Sequence, residues 1–420
     1  MKISPDALLK RLFDVAVAAA DPMVCVPKHL QEKPSGRLLV IGAGKASARM
    51  AEALEAAWGP VDGLVITRDG YARPCTGIEI IEASHPVPDQ RGLDATARLL
   101  GLLEGLEDGD RVIALISGGA SALLENPAGE ISLEDLRKLN EDLLSSGAPI
   151  DQMNTVRKHV SRVKGGQLAA AAYPAHMTSL IVSDVAGDDP AFIASGPTVG
   201  DNTSSEAAKL ILASYEIKIP KSIEEVLMAP TGVLPMGAPK LSQTENIIVA
   251  APSLSLKAAS ELAEAEGIAV TLLGDAIEGE ARDLAQEHAS LALKVQAELS
   301  PGDKPRLLLS GGECTVTRRG DGIGGPNAEY ALALALALNN QPGIYAIACD
   351  TDGVDGAADV AGARVSPQTL SKASENGVNA AAMLAANDSH SFFDLIGDQI
   401  VTGPTLTNVN DFRAILIESV

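Results

Sequence analysis

Arg37-Leu38-Leu39-Val40-Ile41-Gly42-Ala43-Gly44-Lys45-Ala46-Ser47 is a continuous apolar run that stops at glycine and leads into alanine-rich sequence. A run without polar–apolar alternation marks a strand buried on both faces, as in a parallel sheet. The strand is expected at 37–41, with a helix from the turn to about residue 58. Similar apolar runs predict strands at 63–67, 78–81, 111–116 and 179–182, with helical stretches between most of them. Strand and helix in alternation argue for βαβ units and a mostly parallel sheet covered on both faces.

Further along, Pro220, Pro230, Pro235 and Pro239 interrupt residues 215–242, the best candidate linker. A chain of 420 residues exceeds what one core comfortably serves, so two α/β domains are expected, at 1–235 and 240–420. The second has strands expected at 246–251, 268–273, 306–309, 315–318 and 344–349, and a long helix near 281–298. Residues 327–338 alternate Ala and Leu and read as a buried helix, apolar all round. A last apolar run, 412–417, is expected to close this sheet. The N-terminal stretch reads as an amphipathic helix, because Asp14 interrupts its apolar run.

The formal charge of −22 repels phosphate backbones, and no basic run offsets it, which argues against nucleic-acid binding. No stretch approaches the roughly 20 apolar residues needed to span a bilayer. Cys25, Cys75, Cys314 and Cys349 form no CxxC pair, so neither a zinc site nor a disulfide framework is supported. A cytoplasmic enzyme fits these bounds.

Four constellations carry chemistry. The turn Gly42-Ala43-Gly44-Lys45-Ala46-Ser47 offers the N–H groups of a helix start to an anion. It approaches a dinucleotide fingerprint, but Ser47 takes the third glycine position and Arg68 stands where an acidic residue would end the next strand. Its spacing is not that of a Walker A loop. Lys45 would face a phosphate beside Gly44; a tight turn with a surface lysine is the plainer alternative. Ser117-Gly118-Gly119 and Ser310-Gly311-Gly312 each end a buried run, where α/β proteins bind ligands.

The second constellation runs from Met153 to Gly166. Asn154 is a candidate N-cap, Val156, Val160 and Val163 form an inward stripe, and Arg157, Lys158, His159, Arg162 and Lys164 put five basic groups in eight positions. Arg157 and Lys158 are the candidates for holding a carboxylate or phosphate; a solvated helix face is the alternative, and His159 reads as packed. Third, Ser183-Asp184 leads to Gly187-Asp188-Asp189 and Ser195-Gly196-Pro197-Thr198. These oxygens suit Mg²⁺, which takes one or two carboxylates plus phosphates and water, or a general base; loop capping would use the same residues. Fourth, Gly312 and Glu313 lead through Arg318 to Asn327, and Asp350-Thr351-Asp352-Gly353 follows a buried strand without EF-hand spacing. Asp189, Asp350 and Asp352 are the candidate metal ligands.

In their order and spacing, these motifs, with Thr402-Gly403-Pro404 and Thr407-Asn408-Val409-Asn410-Asp411, resemble the class II glycerate kinases, or glycerate 2-kinases, whose C-terminal domain is called MOFRL. The resemblance covers nearly the whole chain. It implies a Rossmann-like doubly wound N-terminal domain, an α/β MOFRL-type C-terminal domain and an active site in the cleft between them. It also implies ATP- and Mg²⁺-dependent phosphorylation of D-glycerate at its 2-hydroxyl, giving 2-phosphoglycerate, and a homodimer is compatible with it. On that footing Lys45 stabilises the transferring phosphoryl group, Asp184 or Asp188 holds Mg²⁺ or activates the hydroxyl, and Arg157 and Lys158 bind the carboxylate or a phosphate. Ser117, Gly118, Gly119, Asn154, Gly312, Glu313, Arg318 and Asn327 complete the expected binding set. One departure stands out: Pro326 follows Gly324-Gly325 where family members often carry arginine. Two rival readings are an NAD(P)H-dependent hydroxypyruvate or tartronate-semialdehyde reductase and a non-catalytic sugar-acid sensor.

Overall fold

The computed structural model describes residues 3–356 and 358–420, and the chain divides into two compact units. The first is Pro22–Val249; the second joins Ala250–Val420 to the residues up to Asp21.

The first unit carries strands β1 (Leu38–Ala43), β2 (Gly63–Arg68), β3 (Ile78–Ala83), β4 (Arg111–Ser117), β5 (His176–Val182) and β6 (Thr244–Ala250). They form a six-stranded sheet in the order β3-β2-β1-β4-β5-β6, and β1 to β5 pair in parallel. Val40, Ile41, Val65, Ile66, Ala114 and Leu115 are buried, as unalternated strands require. The order reverses between β1 and β4, so the carboxyl ends of these two strands flank the switch point where such sheets bind ligands.

Three expectations need correction here. The helix Ile150–His159 starts behind Pro149, so Asn154 lies inside it and is buried rather than serving as N-cap. The proline fixes the chain before the first turn and sets the start earlier. The stretch 215–242 is not an open linker. Its helix Lys221–Leu227 buries Ile223 and Leu227 against Leu136, Leu139, Ala208 and Leu212. The strand expected to open the second domain, here β6, joins the first sheet instead. The prolines mark turns, while the apolar residues between them keep the segment on the first core.

The second unit holds β7 (Ala269–Gly274), β8 (Gly279–Glu280), β9 (Arg306–Gly312), β10 (Cys314–Thr315), β11 (Ile344–Asp350), β12 (Gly362–Val365), β13 (Gln399–Ile400) and β14 (Asp411–Ile417). Its main sheet runs β13-β12-β11-β14-β9-β7, with β7 and β9 parallel and the other pairs antiparallel. The last strand does not close the sheet. It lies between β11 and β9, and every residue of Asp411–Ile417 is buried, as a central position requires. The strand expected at 315–318 shrinks to a two-residue pairing of β10 with β8. The helix Pro326–Leu338 is buried on nearly all sides, as its composition predicts.

The first helix, Pro5–Ala20, belongs to this second unit. Ser4 caps it by accepting from the Ala7 N–H, and Leu8, Leu9, Leu12 and Phe13 share a core with Leu256, Ala259 and Phe412. No helix of the described residues is long and apolar enough to cross a membrane.

One buried histidine makes the second unit sensitive to acid. His288 accepts or donates one bond to the Tyr330 hydroxyl at 2.8 Å, and burial, aided by the charge of Arg413, pushes its pKa down to about 4. A depressed folded pKa means that the unfolded chain binds the proton first. The associated stability is therefore full above about pH 6.5 and is lost as pH falls toward about 4, a change of about 3 kcal/mol. Denaturant midpoints measured across that window should fall more steeply in the wild type than in His288→Asn.

Candidate active site

At the carboxyl end of β1 the chain turns through Gly44-Lys45-Ala46 into the helix Ser47–Trp58. The backbone donors of this turn are engaged within the fold. Lys45 N–H donates to Gly118 O at 2.9 Å, Ala46 N–H to Ser117 Oγ at 3.0 Å and Ser47 N–H to Gly44 O at 3.3 Å. Ser47 Oγ adds a bond to Leu115 O at 2.9 Å. The expected backbone cradle for an anion is thus absent at these three residues, because the end of β4 takes the Lys45 and Ala46 donors and Gly44 O takes that of Ser47. What the turn presents instead is the half-buried Lys45 side chain.

Glycine is required at two points of this contact. A Cβ on Gly44, whose φ is +136°, would fall 2.1 Å from Ser117 Oγ. Gly44→Ala should therefore force the ends of β1 and β4 apart and lower stability by about 2 kcal/mol in urea denaturation; an unchanged midpoint would refute the assignment. A Cβ on Gly118 would lie 1.7 Å from Asp184 Oδ2, which places the first carboxylate after β5 directly against the glycine turn.

Gly119 brings in a residue that sequence reasoning missed. The Cβ position of Gly119 is 2.9 Å from His85 Nε2 and 3.2 Å from Lys45 Cγ. The N–H groups of Gly118 and Gly119 donate to no partner among the described residues, so this turn, rather than the first, offers backbone donors to a ligand. Ser121, just beyond it, is also new. Its Oγ lies 3.0 Å from Ser195 Oγ, and Ser195 Oγ donates to Asn154 Oδ1 at 3.1 Å. Lys45, Ser117, Gly118, Gly119, Asp184 and, through this relay, Asn154 are thus brought together around the carboxyl ends of β1, β4 and β5.

The basic stretch divides. Lys158 is buried and bonded to Asp201 at 2.5 Å. Burial raises the Asp201 carboxyl, but hydrogen bonds from Lys158 and Thr203 outweigh it and hold it below the usual range. His159 uses both ring nitrogens, toward Thr231 and Thr203. Lys164 pairs with Glu125 at 2.5 Å, both nearly inaccessible. Arg157 alone is half-buried without an ion-pair partner among the described residues, held by Asn140 Oδ1 at 3.0 Å. Of the two cations expected to receive an anion, Arg157 is the one whose charge is not already matched.

Asp188 has a positive φ of 54° and a buried Oδ1 with no hydrogen-bond partner among the described residues, while Asp189 is exposed and accepts from the Ala191 N–H at 2.9 Å. Among the described residues no group of three or more His, Cys, Asp or Glu is arranged to hold a metal. A Mg²⁺ ion that takes one or two carboxylates and completes its shell with phosphate and water needs no such group, and an orphaned Asp188 oxygen fits that donor set.

In the second unit the expected residues mostly build structure. A Cβ on Gly312 would fall 2.3 Å from the Ile277 backbone, so this glycine serves close packing. Asn327 is buried and donates to Asp411 Oδ1 at 2.6 Å, while Asp355 caps the helix by accepting from the Asn327 and Ala328 N–H groups at 2.9 and 2.8 Å. Asp350 and Asp352 accept from the Asp352 and Val354 N–H groups, forming successive side-chain-closed turns. Glu313 and Arg318 are exposed. Pro326 stands at the first helical position, where its missing N–H is harmless.

A largely parallel sheet whose switch point gathers a lysine, a Gly-Gly turn and an aspartate, followed in one chain by a mixed-sheet unit, defines a two-unit α/β enzyme. The family described as DUF4147, a domain of unknown function, matches residues 8–228, and the MOFRL family matches residues 306–411. The chain is 50% identical to an Agrobacterium vitis protein named "Putative hydroxypyruvate reductase", over 99% of this chain and 95% of that one. It is 36% identical to the D-glycerate 2-kinase of Thermotoga maritima, over 97% of this chain and 98% of that one. The crystal structure of a glycerate kinase from the same organism matches with a TM-score of 0.90 at 36% identity, covering 99% of this chain and 100% of that one. The chain belongs to the MOFRL-type glycerate 2-kinase family.

Proposed function

We propose that this enzyme transfers the γ-phosphoryl group of ATP to the 2-hydroxyl of D-glycerate, giving 2-phosphoglycerate, with Mg²⁺ as the accompanying ion. The observation that carries the reading is the cluster of Lys45, Gly118-Gly119 and Asp184 at the switch point of the first sheet. Phosphoryl transfer asks chiefly for positioning and neutralisation of charge. Lys45, whose stem lies against Gly119, would supply an ammonium to the phosphate, and Arg157 a guanidinium to the glycerate carboxylate. Asp184 and Asp188 are the residues that would hold Mg²⁺, which when bound neutralises phosphate charge. Glu313, Arg318, Asp350 and Asp352 belong to the proposed ligand-facing loops of the second unit. No nucleic acid or membrane enters this reading, and we place the enzyme in the cytoplasm.

The name of the Agrobacterium vitis relative favours a second reading, reduction of hydroxypyruvate by a nicotinamide cofactor. It would need the first glycine turn to bind pyrophosphate, yet the Lys45, Ala46 and Ser47 N–H groups bond within the fold. Arg68 at the end of β2 stacks over Tyr71, its guanidinium carbon 4.5 Å from the ring centroid; it stands where an NAD ribose would need a carboxylate, though an arginine there is compatible with the 2′-phosphate of NADP. Phosphorus NMR of a reaction with ATP, Mg²⁺ and D-glycerate should show 2-phosphoglycerate. Appearance of 3-phosphoglycerate would overturn the regiochemistry, and rapid oxidation of NAD(P)H by hydroxypyruvate would overturn the kinase reading.

A further inference from the structure

His85 stands where the segment after β4 folds back over the sheet: Ala120 and Leu123 share a core with Ala83, and a Cβ on Gly92 would lie 3.2 Å from Leu123 O. The strand order separates β3 from β4 by three strand spacings, roughly 14 Å at about 4.8 Å each. Yet the imidazole, two residues past the end of β3, reaches the turn that follows β4. There Nε2 lies 2.9 Å from the point where a Gly119 Cβ would stand, and Lys45 Cγ lies 3.2 Å from the same point. The side chain is half-buried rather than part of the core. Pro86 and Pro88 stiffen the segment just after it, before Asp89 caps the helix Gln90–Leu102.

The other histidines of this unit are placed elsewhere. His159 is held at both nitrogens by threonines. His29 and His176 line a cavity of about 290 Å³ with Arg111, at the amino ends of β4 and β5. His85 alone brings an imidazole to the switch point, where Lys45 and the Gly118-Gly119 donors lie.

We infer that His85 is a catalytic residue, the general base that accepts the proton of the substrate hydroxyl. The inference rests on the kinase reading above. In the neutral ring, Nε2 accepts the hydroxyl proton as the hydroxyl oxygen bonds to the γ-phosphorus. The bond from that phosphorus to the bridging oxygen breaks, ADP leaves with the electron pair, and the imidazolium returns its proton to solvent. An imidazole suits this work near neutral pH. Asp184 and Asp188 are then left to the metal, which separates two roles that the acidic loop alone leaves merged.

The test begins with the wild-type enzyme: if it makes no phosphoglycerate, the kinase reading fails whatever His85 does. Given wild-type turnover, His85→Ala should lower kcat by about 10²–10⁴-fold. Its acid limb in the pH profile of kcat should disappear, KM for ATP should change little, and added imidazole should restore part of the rate. His85→Gln, which keeps a polar side chain of similar reach, should be as slow, and circular dichroism shows whether either variant folds. Unchanged kcat in a folded variant overturns the assignment. So does a loss of rate that keeps the acid limb and ignores imidazole, which is the behaviour of a residue that only shapes the loop.

Discussion

Lys45→Met is expected to lower kcat for phosphoryl transfer about a thousandfold while the protein keeps its fold. A preorganised donor aimed at developing negative charge is worth about 10²–10³ in rate when removed singly, and a full ammonium beside a triphosphate lies at the upper end. The fold should survive because the backbone of residue 45 makes the structural bond, Lys45 N–H to Gly118 O at 2.9 Å, which methionine retains. Methionine also keeps a Cγ to pack beside Gly119, where the lysine stem now lies 3.2 Å from the missing Cβ. Thermal denaturation and steady-state kinetics on the same sample separate the two outcomes. Near-normal turnover in a folded variant would falsify the role given to Lys45. Lys45→Arg should recover only part of the rate, because a planar fork does not replace a compact point charge.

The second large effect concerns stability. Asp411 and Arg413 form a buried ion pair in β14, with Arg413 only 1% exposed. Asp411 also accepts from Asn327 Nδ2 at 2.6 Å and from the Cys314 N–H at 3.3 Å. Arg413 donates from Nη1 to Gly311 O at 3.2 Å, and its guanidinium carbon lies 5.6 Å from the Tyr330 ring centroid. Asp411→Ala removes the countercharge and leaves the guanidinium inside a central strand, at a cost of about 3–5 kcal/mol. The denaturation midpoint should fall accordingly. Pairing the change with Arg413→Met removes the uncompensated charge as well and should recover much of the loss. A double variant no better than the single one would show that the damage comes from Asn327 and the Cys314 N–H rather than from the lone cation.

Both features bear on what sequence alone could reveal. The apolar run into Gly42-Ala43-Gly44 was readable as a buried strand because it lacks alternation, and that places Lys45 at a sheet end without further help. The clustering of Lys45 with Ser117, Gly118 and Asp184 follows from strand order, which a motif-by-motif reading reaches only through the switch-point rule. His85 left no comparable signal. It follows an ordinary strand, stands in no motif, and gains its place because the segment after β4 packs back toward Ala83 and Gly92. Lys158 shows the opposite error: a cation in a basic run looks available until Asp201, 43 residues away, is found bonded to it. The central position of β14 was likewise hidden, because an apolar C-terminal run looks the same at the edge of a sheet as in its middle.

The helix Pro5–Ala20 sits in the second unit, so the first unit is an insertion within the chain of the second. During synthesis Pro22–Val249 is complete before the sheet on which the helix Pro5–Ala20 packs its apolar stripe has been made. The first unit is therefore free to fold as it leaves the ribosome, whereas the second must wait for β9, β11 and β14 to be made. Anyone dividing this protein should cut at residues 21 and 250 and rejoin the outer pieces by a short linker. A cut at the proline-rich stretch near residue 240 would strip β6 from one sheet and leave the helix without its partner surface.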